Sequence, residues 1–403
     1  MIAALRDASV VNELFDGAPV AELLVSGTGN ECGVVRPVAE TAPLRQARPA
    51  RRTGDEPASD SLYAALDLGT NNCRLLVAQP TRRSFRVVDA FSRIVRLGED
   101  LDRRSALGDA AQSRAIEALK VCRDKLISRG VTRSRLIATE ACRRAANGME
   151  FIDRVQRETG LKLEVVDRET EARLAVAGCA SLVDPAARGA IVFDIGGGST
   201  ELVWLDFDGQ CWPGPLGLQK RVAAWTSMPL GVVTLAEKFG GVAVGPEDFE
   251  EMVSHVRETL ERFEAREIMV KALAEGDVHL LGTSGTVTTI CGVHLALDRY
   301  DRRKVDGTWM RGDDVVAVTE RLLGMTFEER VKNPCIGPDR ADLVLAGCAI
   351  FEAIRREWPC RRIRVADRGL REGILMSLMA RDGVWRNSRG RRARRGRRRQ
   401  QPA

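Results

Sequence analysis

Three short segments of this chain carry the residue types that hold anions: 67–72 (DLGTNN), 194–200 (DIGGGST) and 282–286 (GTSGT), each following an apolar run. Glycine tolerates positive φ and has no Cβ, so such a turn can aim several backbone N–H groups at one anion. The third turn is also expected to open a helix, whose first amides favour negative charge. Gly69, Thr70, Asn72, Gly196, Thr200, Ser284, Gly285 and Thr286 are therefore candidate phosphate ligands. Asp67, Asp194 and Glu201 lie in or beside the first two turns. Bare carboxylates repel a polyanion, so their presence points to a bridging hard cation, Mg²⁺ above all. The alternative for the two aspartates is turn capping, in which the carboxylate bonds its own backbone.

Two further groups could take part. Glu169 and Glu171 open a helical stretch, and Glu171 could accept a proton from an attacking water if that helix faces a cleft. Acidic residues in a first turn also simply suit the helix dipole. Arg143 and Arg144 follow an apolar run; arginine forks suit phosphate, although on spacing alone the two read as a solvated surface pair.

These residues need a scaffold, and its outline is legible. Short β runs at 62–66, 75–78 and 85–97 read as an antiparallel meander. Helical spacing follows at 109–128, a strand at 136–139, a helix at 148–159, a strand at 161–166 and a helix at 170–180. Residues 190–205 (AIVFDIGGGSTELVWL) then repeat the pattern of 63–78 (YAALDLGTNNCRLLVA), with Asp67 matching Asp194, Gly69 matching Gly196 and Leu75 matching Leu202. The repeat implies two related lobes with a ligand cleft between them. Beyond it, helices are expected at 233–238, 246–266, 284–296, 340–357 and 370–380, and strands at 278–281 and 362–366. The expected organisation is a disordered extension over 1–60, a first lobe over 61–169 to which the helix 370–380 returns, a second lobe over 170–369, and a disordered arginine-rich tail over 381–403.

Composition narrows the class. The 403 residues are 44% apolar and 29% charged, with a formal net charge of +6. The tail 381–403 holds ten Arg and one Asp, a net of +9, so the remainder carries 6 − 9 = −3. A basic tail of this kind could hold a polyanion electrostatically or stay solvated. Ten cysteines without a CxxC pair argue against a zinc ribbon, a thioredoxin-type motif or a disulfide framework, and only three histidines (His255, His279, His294) argue against histidine-centred metal chemistry. Reduced thiols, no apolar run long enough for a membrane span and no secretory h-region lead to the expectation of a cytoplasmic protein.

Four motifs resemble the Ppx/GppA exopolyphosphatase and guanosine pentaphosphate phosphohydrolase family: ALDLGTNNCRLLV (65–77), ATEACRRAANG (138–148), ETEARLAVAG (169–178) and FDIGGGSTEL (193–202), with GTSGT (282–286) and LREGIL (370–375) in support. The resemblance spans about 62–380. It implies an α/β, two-lobed actin-like fold of the acetate kinase/hsp70/actin, ribonuclease H-like type, with an interlobe cleft. It also implies that Glu171 is the catalytic base, that Asp194 and Glu201 bind metal or water, that Arg143 contacts phosphate, and that Asn71, Gly197, Gly198 and Ser199 line the phosphate site. A homodimer is part of the same implication. The C-terminal histidine-aspartate-rich domain of longer family members has no counterpart before residue 380. Arg74, in the first motif, could face either the cleft or solvent. The expected activity is release of terminal orthophosphate from inorganic polyphosphate; guanosine pentaphosphate is the alternative substrate, and an actin-like kinase or ATPase and a non-catalytic phosphate or alarmone sensor are the other readings.

Overall fold

A computed structural model describes residues 61–81, 84–207 and 215–385. The expectations for residues 1–60 and for the tail beyond 385 lie outside the described residues.

The first sheet comprises β1 (Tyr63–Leu68), β2 (Asn72–Pro80), β3 (Phe85–Ile94), β4 (Arg133–Ala138) and β5 (Glu164–Val165), in the order β3-β2-β1-β4-β5. β1 runs antiparallel to β2 and parallel to β4. Its sequence, YAALDL, is apolar almost throughout because helices cover both faces. Ala64, Leu66 and Leu68 pack with Ala115, Leu119 and Cys122 of the helix Asp109–Ser128 and with Phe151 of the helix Gly148–Thr159. Tyr63 and Ala65 point the other way, onto Ile374, Leu378 and Met379 of the helix Leu370–Arg381.

The second sheet comprises β6 (Gly189–Ile195), β7 (Thr200–Asp206), β8 (Val222–Met228), β9 (Val278–Thr283), β10 (Trp309–Arg311) and β11 (Arg362–Ala366), in the order β10-β11-β9-β6-β7-β8. Without the antiparallel edge strand β10, this is the order of the first sheet. The repetition extends to single cross-strand pairs. Leu66 faces Leu75 as Phe193 faces Leu202, and Asp67 faces Arg74 as Asp194 faces Glu201. Arg74 and Glu201 thus occupy equivalent places.

The helix Arg168–Cys179 leads from β5 to β6, and the helix Leu370–Arg381 leads from β11 back to β1. The two cross in backbone contact. A Cβ on Gly178 would collide with the Gly369 carbonyl, and one on Gly373 with the Leu174 carbonyl. Gly178→Ala should therefore lower stability by about 1–3 kcal/mol, the usual cost of overpacking. Urea unfolding measures this, and an unchanged midpoint would mean that the helices separate freely.

Several expectations differ from the structure. The stretch 246–266 is not one helix: Pro246–Leu260 and Arg266–Glu275 are separate. The strand expected over 161–166 shrinks to two residues, because β5 pairs only with Ile137 and Ala138 at the end of β4. β8, β10 and the helix Gly312–Leu323 were not foreseen. Among the described residues no helix is long and apolar enough to cross a membrane.

Candidate active site

Asp67 and Asp194 stand near the C-terminal ends of β1 and β6, the central strands of the two sheets. Each is followed by the same tight turn, closed by Gly69 N–H donating to Asn72 O (2.9 Å) and by Gly196 N–H donating to Ser199 O (2.9 Å). The second turn is pinned from behind by the helix Val232–Phe239, whose first amides donate to Gly196 O (Val232, 3.0 Å) and Gly197 O (Val233, 2.8 Å). The two turns touch. A Cβ on Gly198 would lie 2.6 Å from Thr70 Oγ1, and one on Gly197 would lie 3.1 Å from Asn71 N. Only glycine permits this approach. A phosphate placed between the first two turns would require them to separate.

The third turn opens the helix Ser284–His294. Ser284 adopts φ 89°, the left-handed region, which costs a non-glycine residue about 1–3 kcal/mol and is concentrated at functional sites. Ser284 Oγ and Asn71 Oδ1 are buried without a hydrogen-bond partner. Of the two, only the Ser284 hydroxyl could donate to an anion, since an amide oxygen only accepts. Guanidinium nitrogens of Arg74 and Arg340 lie 3.9 and 3.7 Å from where a Gly285 Cβ would be. Arg74 thus faces the third turn rather than open solvent.

Not every predicted phosphate ligand presents its side chain. Ser199 Oγ donates to Glu201 Oε1 (2.7 Å), and Thr200 Oγ1 donates to Leu230 O (2.8 Å). The Thr286 side chain packs on Gly347 of the helix Val344–Glu357. For these three, only the backbone amide could meet a phosphate.

Glu171 sits in the first turn of the helix Arg168–Cys179, set by Asp167 as N-cap, whose carboxylate accepts from Thr170 N–H (2.7 Å). Its neighbour Glu169 is merely paired with Arg173 along the helix (2.8 Å). Glu171 is engaged by Arg143: Arg143 Nη1 donates to Glu171 Oε2 (2.8 Å) and to Val166 O (2.7 Å). Arg143 is therefore no solvated surface residue; its side chain is 14% exposed. Spacing could not show this, because the partners come from elements 28 and 23 residues away. Arg144 instead pairs with Asp102. The sequence reading missed Glu140, 2% exposed, which binds both Arg143 and Arg168. Its acidic type three residues before the arginine pair was the only available signal.

The electrostatics are those of crowded acids, Glu201 buried and Glu171, Asp67 and Asp194 half-buried. Burial raises the Glu171 carboxyl well above the usual range, Glu201 adds to the rise, and Arg143 opposes it. Burial, Glu201 and Asp67 push Asp194 up to about 7. Burial likewise raises Asp67 against the pull of Arg74 and Arg371, and raises Glu201 against hydrogen bonds from Ser199 and Ser227. A divalent cation would relieve this repulsion. Among the described residues, however, no three His, Cys, Asp or Glu side chains form a ready-made metal site.

The model of the Ppx/GppA phosphatase family matches residues 76–382. Exopolyphosphatase 2 of Mycobacterium tuberculosis is 30% identical over 329 residues, covering 78% of this chain and 98% of that protein. Two solved structures are each 29% identical and each cover 79% of this chain and 97% of the other: the Ppx/GppA family member of Aquifex aeolicus (TM-score 0.62) and an exopolyphosphatase-like protein (TM-score 0.68). The fold is accordingly the two-lobed actin-like one, and the chain belongs to the Ppx/GppA phosphatase family.

Proposed function

We propose that this chain is a cytoplasmic exopolyphosphatase that cleaves terminal phosphoanhydride bonds of inorganic polyphosphate and releases orthophosphate. The observation that carries the reading is Glu171, a half-buried carboxylate held by Arg143 and sensing Asp67 and Glu201 from the two repeated strand-turn units. Phosphoryl transfer requires positioning, charge compensation and one group that orients the nucleophile. In this reading Glu171 takes the proton of the attacking water. Backbone amides of the third turn, and of the first two turns once these separate, bind the phosphates with Asn71 Nδ2, Ser284 Oγ and Arg74. One or two of Asp67, Asp194 and Glu201, with water and substrate phosphates, would hold Mg²⁺, which would neutralise charge on the transferred phosphoryl group. Arg143 faces the same group while holding the base.

The name of the family covers a second substrate, guanosine pentaphosphate, whose terminal phosphoanhydride meets the same chemistry. Orthophosphate release with Mg²⁺ from long-chain polyphosphate, guanosine pentaphosphate and ATP, assayed separately, decides between them. Release from polyphosphate supports the reading, release only from guanosine pentaphosphate moves the substrate, and release from none of the three sinks the hydrolase. The arginine tail is assigned to holding the polymer. A chain ending at residue 385 should show a raised KM for long polyphosphate at low salt and a wild-type KM at high salt, because such contacts are salt-screened.

A further inference from the structure

From the surface to Glu171, charges alternate along one chain of hydrogen bonds: Arg168, Glu140, Arg143, Glu171. Arg168, 39% exposed, donates through Nη2 to Glu140 Oε1 (2.8 Å) and through Nε to Oε2 (3.3 Å). Glu140 Oε2 also accepts from Arg143 Nε (3.1 Å) and Nη2 (2.7 Å). Burial opposes ionisation of Glu140, but hydrogen bonds from Arg168 and Arg143 overcome it and hold its carboxyl below the usual range. The buried Glu140 is therefore an anion clamped between two cations.

The clamp determines what Arg143 offers to Glu171. A guanidinium has five N–H donors. Nε and one Nη2 hydrogen go to Glu140, and both Nη1 hydrogens go to Val166 O and Glu171. Glu171 thus receives one hydrogen bond on Oε2, not a two-pronged pair. A free fork would close on the base bidentately, and bidentate arginine–carboxylate pairs are the strong ones. A base held that way is poorly disposed to take a proton. Breaking a buried ion pair on one side also leaves an uncompensated charge, so Arg143 would seek a new partner once Glu140 is lost.

We propose that Glu140 is a positioning residue for the hydrolysis. By occupying one edge of the Arg143 guanidinium, it limits that arginine to a single contact with Glu171 and keeps the base available. The inference rests on the hydrolase reading above, with Glu171 as base.

The test is steady-state orthophosphate release from polyphosphate with Mg²⁺, with folding checked by thermal unfolding. Glu140→Gln, which keeps the shape and loses the charge, should lower kcat by about 10- to 100-fold, the common cost of losing a supporting residue, with KM within about threefold of wild type. Glu140→Asp should recover part of kcat. In the Glu171→Gln background the same change should add less than about twofold, because a positioning residue acts only through the group it positions. Should Glu140→Gln not fold, the partly exposed Arg168→Gln tests the same clamp from outside and should lower kcat with KM retained. Wild-type kcat in the folded Glu140→Gln or Arg168→Gln variant overturns the inference while leaving the hydrolase intact. An equal loss in both backgrounds also overturns it, since a purely structural role gives that result. No release by wild type overturns both the inference and the hydrolase reading.

Discussion

Glu171→Gln is expected to lower kcat for orthophosphate release by about 10²- to 10⁴-fold, the range for removal of a general base. The substitution keeps the length and shape of the side chain and one acceptor for Arg143 Nη1, so the fold and the turns that bind phosphate stay in place. KM should change little, because in this reading the base acts on water rather than on the resting substrate. Stability should change in the opposite direction to activity. Glu171 is half-buried near Asp67 and Glu201, and its carboxyl is raised well above the usual range, mainly by loss of solvent. A neutral amide relieves that repulsion, although it weakens the pair with Arg143. Steady-state rates and thermal unfolding, measured on the same sample, check both halves. A variant that retains more than about a third of wild-type kcat would remove Glu171 from the chemistry and leave it a structural partner of Arg143.

Mg²⁺ is expected to stabilise the protein, and more strongly at higher pH. Burial, Glu201 and Asp67 raise Asp194 to about 7 in the metal-free fold, above its value of about 3.9 in an unfolded chain. Because the folded state binds the proton more tightly, Asp194 contributes stability that is fully present below the unfolded pKa and is lost as pH rises through about 7. The metal-free protein should therefore weaken from acidic towards alkaline pH on this account. A cation binds the ionised carboxylate, so its contribution grows over the same interval. At free Mg²⁺ of 100 times its Kd the gain is about 2.7 kcal/mol. Scanning calorimetry at pH 6 and pH 8, with Mg²⁺ and with chelator, should show a small Mg²⁺ shift at the lower pH and a large one at the higher. Asp194→Asn should raise the melting temperature of the chelated protein at pH 8 and largely abolish the Mg²⁺ shift. A shift of equal size at both pH values, or one unaffected by this substitution, would exclude Asp194 as a ligand.

What was legible in advance follows from what each signal encodes. The strand-turn-strand units were readable because Asp and Gly at fixed places announce a turn, and apolar runs announce buried strands. Their duplication held down to the pairing of Asp67 with Arg74 and of Asp194 with Glu201. β8 escaped notice because only Met228 of its seven residues is buried, so no clean alternation marks it. The site was legible at the level of backbone cradles and acids, but not of rotamers. Nothing in the sequence says that Ser199 is engaged by Glu201, that Thr286 packs on Gly347, or that the Arg143 guanidinium is shared by Glu140, Val166 and Glu171. Those facts depend on contacts between segments distant along the chain, which local periodicity does not report.

The equivalence of Arg74 and Glu201 has a consequence for direction. A cleft built from two copies of one unit would, if the copies were alike, present the same face to either end of a bound polymer. Here the position opposite the motif aspartate is cationic in one copy and anionic in the other. That single reversal removes the two-fold ambiguity. For a polyanion bound as proposed, the Arg74 side would attract it and the Glu201 side would repel it unless a cation intervened. In the proposed reading the two identical ends of a linear polyphosphate become inequivalent once bound, and the end nearer Glu201 would be the one cleaved.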